Sequence, residues 1–482
     1  MTNNHLPITS YQLTQSPLFI GGLIGLTALV GGLILAFGGP IIAAGLLLAV
    51  LAAVIVLRDI EIGMWGVVAV ICLLPFATLP FKIVITPTFL DLALGAVMAV
   101  WLLRLVTGQQ RRVVTAPITV PLLVFILVAI FAFIFGLNNG PLTSQLIRKF
   151  AELILSLGFV LVMVDYCRTW ERLERLTKVW LLAGAAAAFI GIALWLIPDE
   201  TTNTLLNYLA RLGYPGGTII RYIEENPELS ERAIGTSVDP NVYGGLLVLI
   251  GTLAAPQLLA KRPLFPRWLV VVIFGLIFVA LMLTFSRGAF VALVGGLGFI
   301  ALVRYRRLMP YMVVAGLILL VLPITQAYVA RLVEGFMGQD LATQMRFGEY
   351  RDAWSLILRY PLFGVGFAGS PDIDLYLGVA MVYLTIGQQM GLLGLGAFIA
   401  VMVSVWGYAF FNRHIFKAKP ELDGIWLGLH AAVFSGLIAG IFDHYLFNLE
   451  FLHAVTAFWM LLGLATAATR LGVEVVLGPL IG

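Results

Sequence analysis

Four stretches of the sequence carry the residue types from which an anion-binding or acid–base site is built. They cover residues 231–241, 284–289, 346–366 and 442–445. Three of them contain an arginine, namely Arg232, Arg287 and Arg346. The planar guanidinium group matches phosphate oxygens in a bidentate manner, whereas lysine is a strongly hydrated point charge. The fourth contains His444, a side chain that exchanges its proton near neutral pH. These residue types and their positions suggest an anion-binding or acid–base site.

Each stretch also has an ordinary structural interpretation, which the sequence leaves open. Asp239 followed by Pro240 is typical of a helix start, with the aspartate as N-cap. Arg287 could reach lipid headgroups from a short connection. His444 could be a hydrogen-bonded residue of the membrane interface, and arginines in acidic loops often form surface salt bridges.

The elements that position these residues are membrane-spanning helices. The chain of 482 residues is 61% hydrophobic and 11% charged, and its mean hydropathy is +1.02, whereas soluble proteins are about 25% charged. Its apolar runs are continuous rather than alternating, which favours helices over a barrel. We predict an all-α polytopic transmembrane helical bundle with 12–14 spans and two large extracytoplasmic loops. The candidate segments are at about 18–37, 40–57, 62–81, 88–106, 118–136, 147–166, 177–197, 242–260, 268–285, 288–304, 310–328, 377–411, 423–442 and 449–469.

The charge pattern indicates orientation rather than a nucleic-acid partner. The net charge of +4 arises from basic residues scattered through short loops, which excludes a nucleic-acid surface. Basic loops alternate with sparsely basic ones, so with fourteen spans both termini are predicted to be cytoplasmic. The apolar run from Leu18 is interpreted as a retained first helix. Cys72 and Cys167 are predicted to be packing residues.

This orientation assigns two long segments, 198–239 and 328–376, to the extracytoplasmic side of a single membrane domain, 1–482. All four stretches map to that side. Helical periodicity between Leu341 and Tyr360 predicts an amphipathic helix at the membrane interface. Pro361 ends it, and the glycines of Gly364-Val365-Gly366 allow a turn.

Three ordered groups of motifs fall between about residues 230 and 400. They are Arg232-x-x-Gly235 with Asp239-Pro240-Asn241; Thr284-x-Ser286-Arg287-Gly288; and Arg346-x-x-x-Tyr350 with Pro361-Leu362-Phe363-Gly364-Val365-Gly366 and Gly391-Leu392-Leu393-Gly394. In order and spacing, this part of the chain resembles the O-antigen ligase and O-antigen polymerase superfamily of bacterial envelope glycosyltransferases.

The resemblance implies transfer of a glycan from an undecaprenyl-diphosphate carrier to an acceptor sugar at the periplasmic face of the bacterial inner membrane. It also implies a helical scaffold of the membrane glycosyltransferase type, with neither metal nor cofactor. The expected partners are a lipid-linked glycan donor, a glycan or lipid acceptor and membrane lipids. We expect Arg232, Arg287 and Arg346 to form a diphosphate clamp, because donors aimed at developing charge contribute most to catalysis. His444 is a further catalytic candidate. Substrate contacts are expected from Asp239, Asn241, Ser286, Glu349 and Tyr350.

The sequence departs from the ligases of this superfamily at one position. Ligases carry a His-Asn pair shortly before the Gly-Leu-Leu-Gly stretch, and here Ala380 and Met381 occupy those places. The ligase base is therefore absent there, which favours a polymerase-like or other member. His444, Asp239 and Glu349 are candidate replacements.

Two rival interpretations remain open at this level. Some members of the superfamily are labelled bicarbonate transporters, and an arginine-lined cavity also suits a small anion. Transporters usually place ionisable residues near the bilayer midplane and often contain repeats. The depth of Arg287 in the membrane therefore distinguishes a transporter from a glycan-transfer enzyme. A non-catalytic scaffold predicts instead that the three arginines point in unrelated directions.

Overall fold

The computed structural model describes residues 54–79, 86–110, 112–322, 326–338, 341–371 and 378–477. The predicted span 18–37 and nearly all of 40–57 lie outside these residues. The helices are α1 (Ile60–Leu73), α2 (Phe89–Val106), α3 (Thr119–Gly136), α4 (Ser144–Tyr166), α5 (Trp170–Leu196), α6 (Asp199–Tyr208), α7 (Pro240–Ala254), α8 (Arg267–Leu283), α9 (Arg287–Val303), α10 (Met309–Val321), α11 (Gln326–Met337), α12 (Leu341–Arg359), α13 (Val382–Ala418), α14 (Pro420–Phe442) and α15 (Leu452–Leu477).

The described helices confirm the predicted all-α polytopic membrane fold. Seven helical stretches are long and apolar enough to cross a membrane, and α1, α8 and α9 are shorter apolar helices. The seven are Phe89–Val106, Thr119–Asn139, Trp170–Leu196, Pro240–Leu258, Val382–Ala418, Pro420–Phe442 and Leu452–Val476. The total of 12–14 spans and the sidedness of the loops stay predictions.

The bundle is built around three central helices, α7, α14 and α15. The apolar window of α15 is 100% buried and that of α7 is 89% buried, whereas that of α2 is 22% buried. α15 packs along α4, while α14 packs against α7 and α9. A helix that is hydrophobic all round belongs in the interior of a bundle, and a helix with an exposed apolar face belongs beside lipid. Cys72 and Cys167 are buried and free, as predicted.

Helix α13 is two helices joined at Gly391. This residue has φ 67° and ψ −169°, a conformation that favours glycine. The break leaves carbonyl groups without helical partners, and the amide of Val365 donates to Gln388 O over 2.9 Å. The segment 361–366 therefore restores part of the lost hydrogen bonding. Two of the motifs that carry the family resemblance, Pro361–Gly366 and Gly391–Gly394, thus form a backbone joint.

The first long loop contains a short β-hairpin that the sequence did not predict. Strand β1 (Arg221–Tyr222) pairs antiparallel with β2 (Glu231–Arg232), in the register Arg221 with Arg232. The amide of Ala233 then donates to Leu283 O, at the end of α8, over 2.7 Å. The hairpin is thereby fixed to the helix bundle, and it carries Arg232 to the ends of the helices.

Candidate functional site

Arg232, Arg287 and Arg346 line one polar cavity of about 220 Å³. They come from three separate elements: β2, the first turn of α9, and α12. We call this space the arginine cavity. Its other lining residues are Tyr222, Glu224, Glu225, Asn241, Phe285, Ser286, Gly288, Ala289, Ala439, Phe442, Asp443 and Tyr445. Segments that are far apart in the sequence therefore meet at one place.

Arg232 is oriented by two hydrogen bonds. Its Nε donates to Thr284 O over 2.9 Å and its Nη2 donates to Asn241 Oδ1 over 2.8 Å. Both acceptors are neutral oxygen atoms, so these two hydrogen bonds fix the orientation of the guanidinium group. Asn241 lies in the first turn of α7, directly after Pro240. The cavity wall therefore includes both a charged donor and the group that fixes it.

Asp239 caps α7 and does not line the arginine cavity. Its Oδ1 accepts from Asn241 N over 2.8 Å and from Val242 N over 2.9 Å, the arrangement expected of an N-cap with proline at the first helical position. Burial raises the pKa of Asp239, even though these backbone N–H groups oppose the shift. The interpretation of Asp239 as a helix N-cap therefore explains these hydrogen bonds.

Arg287 is the first residue of α9 and packs under α11. A Cβ built at Gly335 would lie 2.4 Å from Arg287 Nη1, so a larger residue there would displace the guanidinium group from this position. Ser286, the N-cap residue, is 8% exposed, and its amide donates to Thr284 Oγ1 over 3.2 Å. The tight connection between α8 and α9 thus holds Ser286 and Arg287 at the cavity wall.

Backbone strain is concentrated around this cavity. Glu224 and Glu225 both have φ 55°, and Phe285 has φ 50°. All three line the cavity, and Val238, with φ 61°, directly precedes Asp239. Among the described residues these are the non-glycine positions with positive φ. Such conformations cost about 1–3 kcal/mol each and cluster at ligand sites.

A second cavity, which we call the apolar cavity, adjoins the arginine cavity. Its volume is about 260 Å³, and both cavities share Arg287, Gly288, Arg346 and Phe442 as lining residues. Its remaining lining residues are mostly apolar: Val291, Gly335, Thr343, Phe347, Tyr350, Met381 and Ile441. The two arginines therefore stand between a polar space and an apolar one.

The predicted base residues lie just behind the cavity. His444 Nδ1 is 3.1 Å from Asp443 Oδ1, and it is Asp443 that lines the cavity. Burial alone would lower the pKa of His444, but the hydrogen bond and charge of Asp443 outweigh burial and raise this pKa above its ordinary value. The charges of Glu349 and Asp239 act in the same direction.

Ala380, which stands where ligases carry histidine, is fixed by the two predicted substrate-binding residues of α12. Glu349 Oε2 accepts from Ala380 N over 3.0 Å, and Tyr350 OH donates to Ala380 O over 3.4 Å. Tyr350 also lines the apolar cavity. The carboxylate of Glu349 is therefore engaged with the backbone of Ala380.

The structure thus separates the predicted site residues into three groups. The arginines, Asn241 and Ser286 line the arginine cavity, and Tyr350 lines the apolar cavity. Asp239, Glu349 and His444 line neither cavity and contact the backbone or Asp443 instead. Asp443 and Tyr445 belong to the fourth stretch, 442–445, but only His444 of that stretch was predicted from the sequence as a candidate site residue. Sequence reasoning missed Gly335, which nothing in the sequence marked. Within the described residues, no group of three or more His, Cys, Asp or Glu side chains could hold a metal ion.

Comparison with known protein families gives a match for this chain. Residues 271–399 match the family described as O-antigen ligase. This match supports membership of the chain in the O-antigen ligase and polymerase superfamily, and it supports O-antigen ligase-like glycan transfer at the level of the family. The family implies lipid-linked glycan substrates, and together with the apolar helices it indicates a membrane protein of the bacterial envelope. No curated protein sequence matches the chain.

Proposed function

We propose that the protein transfers a glycan from a polyprenyl-diphosphate carrier, undecaprenyl diphosphate in bacteria, to an acceptor sugar at the periplasmic face of the inner membrane. The observation that carries this proposal is the meeting of Arg232, Arg287 and Arg346 at one cavity. Three guanidinium groups from separate elements line this cavity together with the carboxylates of Glu224, Glu225 and Asp443. The planar fork of each guanidinium group matches the phosphate oxygens of a diphosphate.

The two adjoining cavities fit the two chemical parts of such a donor. The diphosphate occupies the arginine cavity, and the first part of the polyprenyl chain lies in the apolar cavity, beside Phe347 and Ile441. Arg287 and Arg346 line both spaces, so they are placed where the diphosphate joins the lipid. The sugar then projects towards the opposite side of the diphosphate.

The reaction breaks the bond between the anomeric carbon and the diphosphate oxygen. Negative charge grows on that oxygen as the polyprenyl diphosphate leaves with the electron pair, and the arginines stabilise it. The oxygen of an acceptor hydroxyl forms the new bond to the anomeric carbon and releases its proton. Three carboxylates line the cavity, those of Glu224, Glu225 and Asp443. We assign proton acceptance to Asp443, because His444 is paired with it and holds it in position.

Transport of a small anion such as bicarbonate is not favoured. A transported anion is usually bound near the bilayer midplane on interrupted helices. Arg287 instead begins α9, and Arg346 lies on α12 outside the candidate membrane spans. The arginine cavity is thus at the ends of the helices, where a lipid-linked substrate can enter from the side.

The experiment is glycan transfer by the purified protein in proteoliposomes that contain lipid-linked glycan extracted from the source cells. Wild type should form a longer or conjugated glycan and release polyprenyl diphosphate. Arg232→Ala, Arg287→Ala and Arg346→Ala should each lose at least ~100-fold of the rate. Arg351→Ala is the control, because Arg351 is exposed on α12 and lines neither cavity. Full transfer by all three variants, or no release of polyprenyl diphosphate by wild type, would contradict the proposal.

A further inference from the structure

A separate cavity of about 1280 Å³ lies at the other end of the helices. We call it the basic cavity. Two helices run between the arginine cavity and the basic cavity and show that these cavities lie at opposite ends. α9 starts at Arg287 in the arginine cavity, and its last residue, Val303, lines the basic cavity. α14 starts at Pro420 in the basic cavity and ends at Phe442 in the arginine cavity.

The lining of the basic cavity carries a large excess of positive charge. Its ionisable residues are Lys261, Arg304, Arg306, Arg307, Arg413, His414, Lys417 and Asp423. The single carboxylate is already engaged, because Arg304 Nε donates to Asp423 Oδ2 over 2.7 Å and Arg304 Nη2 donates to Asp423 Oδ1. In the described part of the chain, the other Lys and Arg residues of the lining form no salt bridge.

Two of these arginines are held in place by neutral groups. Arg306 Nε donates to Leu302 O over 3.0 Å, and Arg413 Nη1 donates to Phe410 O over 2.7 Å. The Arg413 guanidinium also stacks on the Phe410 ring, with Cζ 3.7 Å from the ring centroid. Each guanidinium group keeps further N–H donors for an anion. The positive-inside rule explains why basic residues lie at this end, but not why they surround a concave space.

An apolar groove of about 260 Å³ continues from the basic cavity, and the two share Leu259, Tyr305 and Leu308. Apart from the tyrosine, the groove is lined only by apolar residues: Ala255, Leu258, Leu259, Phe274, Leu297, Ile300, Ala301, Leu308 and Met312. Phe410 and Phe411, which also line the basic cavity, have 57% and 75% of their surface exposed. A cationic space beside an apolar groove has the two parts needed to hold a charged headgroup and an acyl chain.

We propose that the basic cavity binds an anionic phospholipid of the adjacent leaflet. Arg306, Arg307, Arg413 and Lys417 contact the headgroup phosphate, and one acyl chain lies in the groove along α10. The number of cations without a carboxylate partner fits a headgroup with two phosphates, as in cardiolipin, better than one with a single phosphate. This site is at the opposite end from the arginine cavity and is independent of the glycan-transfer proposal.

The test is native mass spectrometry of the purified full chain titrated with cardiolipin, phosphatidylglycerol or phosphatidylcholine. Wild type should bind cardiolipin most tightly and phosphatidylcholine least. The triple variant Arg307→Gln, Arg413→Gln, Lys417→Gln should bind cardiolipin at least ~10-fold more weakly. The double variant Arg262→Gln, Arg267→Gln is the control, since both residues are exposed at the same end but do not line the cavity.

Two further variants separate charge, groove and folding. Arg307→Lys with Arg413→Lys keeps the charges and should retain most of the binding. Met312→Trp leaves every charge in place but fills the groove, so it should weaken binding of cardiolipin. Equal binding of phosphatidylcholine, unchanged binding by the triple variant, or an equal loss in the control would overturn the proposal. Complete displacement of cardiolipin by excess inorganic phosphate would also overturn it, because the acyl chain would then contribute nothing.

Discussion

Arg232 Nη2 donates a hydrogen bond to Asn241 Oδ1 over 2.8 Å, which joins the β-hairpin of the first long loop to the first turn of α7. The two residues are nine positions apart and belong to different elements. This contact gives a structural role to the Asn of Asp239-Pro240-Asn241, because its neutral amide oxygen orients a guanidinium group at the cavity.

Replacing Asn241 should therefore slow glycan transfer, because Arg232 would lose a group that orients it. Asn241→Ala removes one oriented hydrogen bond to a charged group, an interaction of about 1.5–3 kcal/mol. We expect a fall of roughly 10–100-fold in kcat/KM for the lipid-linked donor. Asn241→Asp supplies a carboxylate that neutralises Arg232, so it should raise KM further. Kinetics with purified donor measure both effects, and wild-type kinetics in both variants would show that the contact is incidental.

Gly335 should be required for the position of Arg287 rather than for stability. An alanine Cβ would lie 2.4 Å from Arg287 Nη1, and the end of a flexible side chain can move away at small cost. Gly335→Ala should thus reduce the transfer rate by about 10-fold or more while the Tm changes little.

Gly348→Ala is the control for this prediction, because a Cβ at Gly348 meets nothing within 4 Å. It should leave both the rate and the Tm near wild type. If Gly335→Ala transfers glycan at the wild-type rate, Arg287 does not need the position that the structure gives it.

The joint at Gly391 should be essential for folding. An alanine there would keep φ at 67° and place its Cβ 2.3 Å from Leu362 O, which is backbone and cannot yield easily. We expect Gly391→Ala to destabilise the protein by at least ~2 kcal/mol. Gly396→Ala, on the same helix and with no atom within 4 Å of its Cβ, should be neutral or slightly stabilising. Thermal unfolding in detergent compares the two variants. Equal Tm values would show that the backbone joint does not require glycine at position 391.

The pair of Asp443 and His444 predicts a dependence of stability on pH. The pKa of His444 is raised above its ordinary value of 6.5 in the folded protein. Its contribution to stability is therefore fully present below pH 6.5 and is lost as pH rises through the folded pKa. Glu231 acts in the same direction, because burial and then the charge of Asp199 raise its pKa to about 7.

The measurement should therefore use a Glu231→Gln background. The Tm difference between Glu231→Gln and Glu231→Gln with His444→Gln should be largest near pH ~5.5 and should narrow towards pH ~8.5. A difference that grows with pH would mean that the neutral form of His444 is the one stabilised by folding.

The sequence predicted the helices well because continuous apolar runs and membrane thickness constrain them strongly. The sequence also singled out the three arginines, because the segments that carry them were predicted to lie on the same side of the membrane. It could not predict the cavity wall, because Asp443 and Arg232 line the same cavity only through packing between distant segments.

Two further features escaped sequence reasoning for identifiable reasons. The hairpin of Arg221 with Arg232 has two residues per strand, too few to show any alternation. The apolar segment predicted at 377–411 gave no sign of the break at Gly391, because a glycine within an apolar run reads as ordinary helix. The predicted amphipathic helix is present as Leu341–Arg359, while its position at the membrane interface stays a prediction.

The most direct test of the central claim is the binding of undecaprenyl diphosphate to the purified protein. Each of Arg232→Ala, Arg287→Ala and Arg346→Ala should weaken binding by roughly 10–100-fold. Arg351→Ala and Arg211→Ala, in exposed positions outside both cavities, should bind as wild type does. Wild-type affinity in all three cavity variants would contradict a shared diphosphate site.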